Sequence, residues 1–490
     1  MPPVLGLLAL CLNAGCAATG GRIELSAGPG LRARLAEILE ASPLPKAWVP
    51  TEADGEATLS LVATPADPAQ QPGAHETGGP LSADAGLLWL APALPISSPL
   101  YRLDSAQARA AGLEALDEIL PPRRAASVDG RWPGQPGYPF VERLELRLSS
   151  RRRIPPVLAS WLAGAAAAAK AEPAPIVLGA AGDLQVGPRS GLSLIGGEAG
   201  LERVFAGGLL PLMRSRDLLV ANLEGPITAR GSPNPRKRFH FRFPPGSAKA
   251  LGDAGFSLLL FANNHGFDFG EEGFLDTLED LEGAAMPFVG AGRNEEEAGQ
   301  PRVLAALPGG QRLSFVGFAS YPTERLGFTT AEALAGAAKP GIAGDPRSTL
   351  DAIRIAAAAG DTVIVLAHGG REYVESPTAE TRELYRGFAD AGARLVIGSH
   401  PHVLQGLEAR GSSLIAYSLG NFLFTEELEP PQAVGSALLS FLLYRGIPRG
   451  FLPEPVSAGI DGSRLEHGEA ARLGVERLLS RLSSGLEAGP

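Results

Sequence analysis

Short runs of consecutive apolar residues, many of them β-branched, recur along the last two-thirds of the chain, and amphipathic stretches separate them. Ile176–Leu178, Leu218–Ala221, Ser257–Phe261, Leu313–Phe318, Thr362–Ala367, Leu395–Ile397 and Leu414–Tyr417 read as strands. Glu271–Glu282, Arg347–Ala359 and Ala379–Ala391 carry the spacing of helices with one apolar face. Strands that are apolar on both faces and alternate with helices imply an α/β fold whose sheet is covered on both sides.

The earlier part of the chain has a different texture. Arg22–Ser26, Ala57–Ala63 and Gly86–Ala91 read as strands and Gly30–Ala41 as a helix, which predicts a small α/β domain over residues 20–170. Pro65–Pro80, rich in Pro, Gly, Ala and Gln, reads as a loop. An Ala-rich helix over Val157–Ala169 closes this domain and is shorter than the roughly 20 apolar residues of a membrane span. The proline-bearing segment 171–175 then marks a linker, followed by a second domain over 176–450 and an extension over 451–490. Gly435–Tyr444 is expected as a last strand and Leu465–Leu482 as a helix. The opening of the first domain resembles a lobe of a periplasmic solute-binding protein, which suggests a ligand-sensing role, and no motif there assigns a chemistry.

Composition narrows the function classes. The chain has 490 residues, 45% hydrophobic and 20% charged, enough for two globular cores. A net charge of -10 argues against a nucleic-acid partner, because neutralising phosphates needs a clustered basic face. The two cysteines are Cys11 and Cys16, so the folded part holds no internal disulfide, and a metal there would take His, Asp, Glu or Asn. The uncharged segment Pro2–Ala18, with an apolar run over Val4–Leu12, reads as an export signal occupying residues 1–18. The order Leu12, Asn13, Ala14, Gly15, Cys16 resembles a bacterial lipobox, which implies lipidation at Cys16 and an extracytoplasmic, membrane-anchored product.

Function in such folds gathers at the carboxyl ends of the strands. Here those ends carry Asp183, then Asn222 with Glu224, then Asn263, Asn264 and His265, then His368, then His400 with His402. Four of the chain's seven histidines fall in this set. Carboxylates, imidazoles and a neutral amide oxygen suit a pair of divalent ions such as Mn, Zn or Fe better than Ca. Two such ions roughly 3.5 to 4 Å apart can stabilise both the entering and the leaving oxygen of an in-line displacement.

The strings GDLQVG from Gly182, NLEGPIT from Asn222, NNHGFDFG from Asn263, HGGREY from His368, GSHPHVLQG from Gly398 and YSLGNFLF from Tyr417 resemble the motif series of the CapA family of capsule and poly-γ-glutamate biosynthesis proteins. That family belongs to the calcineurin-like metallophosphoesterase superfamily, so the resemblance implies a four-layer α/β/β/α sandwich preceded by the small α/β domain. It further implies that Asp183 and His402 hold a first metal, that Glu224 bridges, and that Asn264, His368 and His400 hold a second. His265 would be the general acid, with Asp268 orienting it. This chain carries Gln185 where the superfamily has His, and Glu224 where it usually has Asp, so occupancy by a single metal is an alternative.

Other residues admit two readings. Arg236, Lys237, Arg238 and Arg242 flank or punctuate the alternation Phe239 to Phe243, which predicts a strand that is either a solvated edge or an arm gripping a phosphate or polycarboxylate, with Arg242 the leading contact. Asn222 reads equally as a loop cap and as a substrate contact. Gly420 and Asn421 read as architecture, turning the chain after the strand Leu414–Tyr417. Two functions follow: an extracytoplasmic metal-dependent phosphoesterase-type enzyme acting on an anionic polymer or phosphoester, or a non-catalytic membrane-tethered subunit that handles or exports an anionic polymer alongside capsule synthesis subunits.

Overall fold

A computed structural model describes residues 175–306, 312–424 and 435–487 continuously, together with shorter stretches between residues 22 and 170. The expected leader with Cys16, nearly all of the Pro65–Pro80 loop and linker residues 171–174 lie outside the described residues. The chain divides into two compact units, one made of Met1–Pro92, Asp104–Glu118 and Val128–Ala174, the other of Ala93–Leu103, Ile119–Ser127 and Pro175–Pro490.

In the first unit, the strand Arg22–Ala27 runs parallel to Val49–Thr51 and to Ala57–Pro65, and Ala57–Pro65 is antiparallel to Val141–Ser150. The helices Arg32–Ala41 and Pro156–Lys170 pack together, burying Leu35, Ile38, Leu158 and Leu162, and the Trp161 indole donates to the Ser42 carbonyl at 3.0 Å. The sequence reading has no strand over Val141–Ser150, because Glu142, Arg143, Glu145 and Arg147 interrupt its apolar residues and dilute the apolar signal. Among the described residues no helix is long and apolar enough to cross a membrane.

The second unit contains two sheets. In one, Phe288–Val289, Leu258–Leu260, Leu218–Leu223 and Ile176–Leu184 are parallel neighbours, and Ile176–Leu184 continues into the antiparallel hairpin Gly435–Tyr444 and Ile447–Gly459. In the other, Arg312–Ser320, Thr362–Gly369, Ala393–Ser399 and Ser413–Ala416 are parallel, edged by antiparallel Arg302–Ala306 and Leu407–Arg410. A void of about 10 Å³ between them is lined by Ala181, Val220 and Leu260 from one sheet and Leu366, Ile397 and Gly398 from the other, so the sheets face each other.

Helices cover the outer faces. Pro346–Ala358 and Ala379–Ala391 lay Ile353, Tyr385 and Phe388 onto Val316, Phe318, Val365 and Val396 of the second sheet. On the first sheet's side, Gly270–Gly283 buries Phe274, whose ring stacks 5.1 Å from that of Phe261. This is the four-layer α/β/β/α sandwich, with the parallel strands of these two sheets buried on both faces. Burying one such leucine or isoleucine stabilises by about 1.5–3 kcal/mol.

The helix Ala379–Ala391 begins where Thr378 accepts from the Thr381 N–H and ends at Gly392, whose φ of 122° leaves the helical region. Gly182 is demanded by close approach: a Cβ there would lie 1.9 Å from the Gly420 carbonyl oxygen. That contact brings the strand bearing Asp183 against the segment bearing Asn421, since the Asp183 N–H donates to the same carbonyl at 2.9 Å.

The expected strand over Phe239–Phe243 does not form. Burial does alternate, with Phe241 and Phe243 inside, but the backbone finds scattered partners instead of a ladder. The Phe241 N–H donates to the Asp268 side chain and the Phe243 N–H to the Pro226 carbonyl.

Candidate metal centre

The two facing sheets bring the carboxyl ends of their parallel strands to one edge, and the residues there meet. Asp183, Asn222, Glu224, Asn264, His368, His400 and His402 are all buried. Two groups have one ligand atom from each member within 4.8 Å of the others: Glu224 with His368 and His400, and Asp183 with Glu224 and His402. Glu224 belongs to both, which is the geometry a bridging carboxylate requires.

The chain bends sharply to make this set. His400 has φ 97° and His402 φ 58°, in the left-handed region that side-chain-bearing residues rarely occupy. Such backbone costs about 1–3 kcal/mol per residue and persists where the surroundings over-determine it. Here the His400 N–H donates to Asp183 Oδ2 at 3.2 Å, and the Pro401 carbonyl between the two histidines accepts from the Tyr373 N–H at 2.8 Å.

Around the donors lies a web of orienting bonds. His368 Nε2 is 2.9 Å from Asn264 Oδ1 and 3.1 Å from His400 Nδ1, while its Nδ1 is 3.1 Å from the Ser399 hydroxyl. Because Ser399 Oγ donates to the Ala367 carbonyl, it can accept from an Nδ1–H and leave Nε2 facing the cluster. Asn222 Nδ2 donates to Asp183 Oδ1 at 2.8 Å and approaches His368 Nδ1 at 3.1 Å. Asn263 in turn holds Asn222 at 3.1 Å. His402 Nδ1 stands 2.9 Å from Asn421 Oδ1 and 3.5 Å from Asp183 Oδ2.

Two of the imidazoles are already in the state a metal ligand needs, and the third carries a proton that a metal would displace. Burial, reinforced by the neighbouring imidazoles, pushes His368 and His400 well below their usual range, so both are neutral and offer lone pairs. At His402 burial acts the same way, but the Glu224 charge and the bond to Asp183 outweigh it and push the imidazole up to about 10. Burial, with Asp183 beside it, pushes Glu224 well above the usual carboxylate range. Both Glu224 oxygens lack a hydrogen-bond partner, and the residue has no exposed surface. A buried carboxylate left so is costly unless a cation meets it, so the residues fit divalent metal.

His265 sits beside this cluster on the wall of a cavity of about 390 Å³, together with Asn264 and His400. Its Nδ1–H donates to Asp268 Oδ2 at 2.8 Å, and the Phe241 ring meets it edge-on at 4.5 Å. Behind Asp268, at 3.1 Å, lies Lys237 Nζ, which also bonds Glu324 and the Asn264 carbonyl. Lys237, expected among exposed basic residues, has no exposed side chain.

Two expectations on substrate contacts meet different surroundings. The Arg242 guanidinium lies 3.5 Å over the Phe269 ring and is not among the cavity-lining residues, because the arm does not run as a strand. Asn222 is occupied with Asp183 and His368, beneath the cluster. Asn421, read as architecture, contacts a candidate ligand, and the YSLGNF string was the signal for it. Gln185 is fully buried with neither amide atom partnered. Its N–H donates to Leu423 as that of Asp183 does to Gly420, so the two side chains leave the strand on the same face.

Residues 177–426 match the family described as bacterial capsule synthesis protein PGA_cap. The chain belongs to this family. It is 34% identical over 221 residues to the PGA biosynthesis protein CapA of Bacillus subtilis, an alignment covering 44% of this chain and 55% of that protein. It is 30% identical over 273 residues to the capsule biosynthesis protein CapA of Bacillus anthracis, covering 52% and 64%. The chain therefore spans just over half to under two-thirds of the length of these CapA relatives. Solved structures similar to it include a hypothetical protein from Thermus thermophilus, at TM-score 0.36 and 19% identity over 57% of this chain and 98% of that one. Another is a 5'-nucleotidase from Candida albicans, at TM-score 0.32 and 10% identity over 64% and 55%.

Proposed function

We propose that this CapA-type protein is a metal-dependent phosphoesterase-type hydrolase acting on an anionic polymer or phosphoester in capsule or poly-γ-glutamate biosynthesis. The observation that carries the reading is Glu224, shared by two donor groups and lacking any other partner for its oxygens. Asp183, Glu224 and His402 would hold one divalent ion and Glu224, Asn264, His368 and His400 a second, with Mn, Zn or Fe best matched to these donors. Bound there, the ions would supply Lewis-acid charge to an anionic reacting centre.

The protein's own groups account for the proton. Asp268 accepts the Nδ1–H of His265, which fixes the ring and leaves Nε2 as the nitrogen available to a substrate in the cavity. A protonated His265 then delivers its Nε2 proton to the departing oxygen, and Asp268 stabilises the imidazolium before transfer. Phe241 against the ring excludes water from its buried edge.

A non-catalytic polymer-handling role draws on Gln185, a neutral amide beside the first metal position where an imidazole would bind more strongly. Export and lipid attachment at Cys16 belong to the proposal on the strength of the leader's residues alone. Metal content and turnover of phosphomonoesters and phosphodiesters decide between the readings, with wild type beside His265→Ala and His400→Ala and with Mn and Zn supplied. The hydrolase reading expects metal and turnover in wild type and retained metal with turnover down about 100-fold or more in His265→Ala. Metal without turnover on any ester favours the handling role, and no metal in wild type sinks the site.

A further inference from the structure

The cavity wall beyond the candidate centre carries three arginines, Arg238, Arg325 and Arg371, from three separate segments. All three are exposed, and among the described residues none has an ion pair or a hydrogen bond. Arg238 only stacks on its neighbour Phe239, with its guanidinium 4.8 Å from the ring. Elsewhere on the same unit some guanidiniums sit on carboxylates, as Arg214 on Glu198, Arg293 on Glu282 and Arg410 on Asp390. What sets Arg238, Arg325 and Arg371 apart is that they share one cavity wall, which Glu324, bonded to Lys237, and Glu372 also line.

Their backbones are tied to the centre. Arg238 follows Lys237 and Arg325 follows Glu324, and Lys237 and Glu324 are bonded to each other beneath the wall. Arg371 stands two residues before Tyr373, whose N–H is held by the Pro401 carbonyl between His400 and His402. Fixed anchors with free heads give an anion receptor that is placed in advance yet open to solvent.

Resting on the proposed reading of the centre, we infer that Arg238, Arg325 and Arg371 form a specificity subsite for a second anionic group of the substrate, adjacent to the one held at the metal ligands. The planar fork of each guanidinium donates two parallel bonds to a carboxylate or phosphate. A substrate with one anionic group fills only the floor of the cavity, whereas a chain of repeated acids fills both positions. The subsite thus selects oligomeric over monomeric anions.

The test is calorimetric binding to the full chain, with and without Mn, of four probes: a γ-linked glutamate pentamer with glutamate as its monomer, and inorganic tripolyphosphate with orthophosphate as its monomer. Wild type is compared with Arg325→Gln, Arg371→Gln and the triple Arg238→Gln/Arg325→Gln/Arg371→Gln variant, whose exposed side chains leave the melting temperature unchanged. The expected result is at least one oligomer bound about tenfold or more weakly by the triple variant, with each monomer changed less than about twofold. The responsive pair tells carboxylate from phosphate. Equal loss for oligomer and monomer, or no loss for either oligomer, overturns the subsite. Metal content of the same samples reports on the centre separately: arginine-dependent oligomer binding by a protein that takes up no metal keeps the subsite and removes the hydrolase.

Discussion

Lys237→Met removes one charge from the interior and leaves the aliphatic bulk, so its effect measures what that charge does. Lys237 Nζ lies 3.1 Å from Asp268 Oδ1, and neither side chain has exposed surface. It also meets Glu324 and sits 4.9 Å from the Phe328 ring centroid. At an effective dielectric near 20, unit charges at that separation attract by about 5 kcal/mol, most of which offsets the cost of taking both out of water. Removing only the cation leaves Asp268 buried with bonds to Oδ2 from His265 and Phe241 but with nothing to meet Oδ1, which destabilises by about 3–5 kcal/mol. For a unit that includes all of Pro175–Pro490, that corresponds to a melting temperature lower by about 5–7 °C. Thermal denaturation of wild type, Lys237→Met, Asp268→Asn and the double variant checks it. The double variant should recover at least about 1.5 kcal/mol relative to the sum of the singles, because the stranded anion has gone. A Lys237→Met shift under about 1 °C, or strictly additive losses, would refute the reasoning.

The frame of the second unit was legible because its strands are apolar on both faces and its helices are not. Ala379–Ala391 matches its expected bounds residue for residue, with Thr378 and Gly392 as its punctuation. Strands were read short at their ends, as at Ile176–Leu178 against the observed Ile176–Leu184, because small residues such as Gly179, Ala180 and Gly182 carry little apolar signal. Of these, Gly182 is what lets the chain pass close to Gly420. Ile447–Gly459 was not read as a strand because Pro448, Pro453 and Pro455 interrupt it. It forms because Gly435–Tyr444 pairs along one side, while among the described residues the other side is paired in register only at Gly450 and from Val456 onward, with the Pro455 carbonyl accepting from the Glu466 N–H. Pro453 and Pro455 fall in the gap, where no backbone donor is needed.

At the site, the residues that converge on Glu224 all stand at strand ends, so their order in the chain already carried the constellation. What escaped was whatever depends on a neighbour remote in sequence. Lys237 looks like one of four exposed cations until Asp268, Glu324 and the Asn264 carbonyl close around it. Arg325 and Arg371 belong to no basic run at all, and only the fold sets them beside Arg238. Arg242 was favoured because alternation promised a strand, and the alternation in burial survived without the strand. Periodicity reports which side chains go inside, whereas it is the destination of the backbone bonds that decides where the others point.

Gln185→His should raise Zn affinity about tenfold, since an imidazole is a stronger donor than an amide and the position shares a strand face with Asp183. Calorimetric titration of the metal-free protein checks it, and unchanged affinity would remove Gln185 from the centre. Metal affinity should also climb with pH. His402, pushed up to about 10, holds a proton at neutrality that a bound ion must displace. Each displaced proton adds about tenfold in affinity per pH unit until that value is reached. The sign for the metal-free protein is opposite: the charged imidazole stabilises the fold fully below its unfolded value near 6.5, and that contribution is lost as pH rises through about 10. Raising pH from 6 to 9 should therefore tighten Mn binding while the contribution of His402 to the stability of the metal-free form declines. A flat affinity across this interval would mean that His402 exchanges no proton with the metal and lies outside the ligand set.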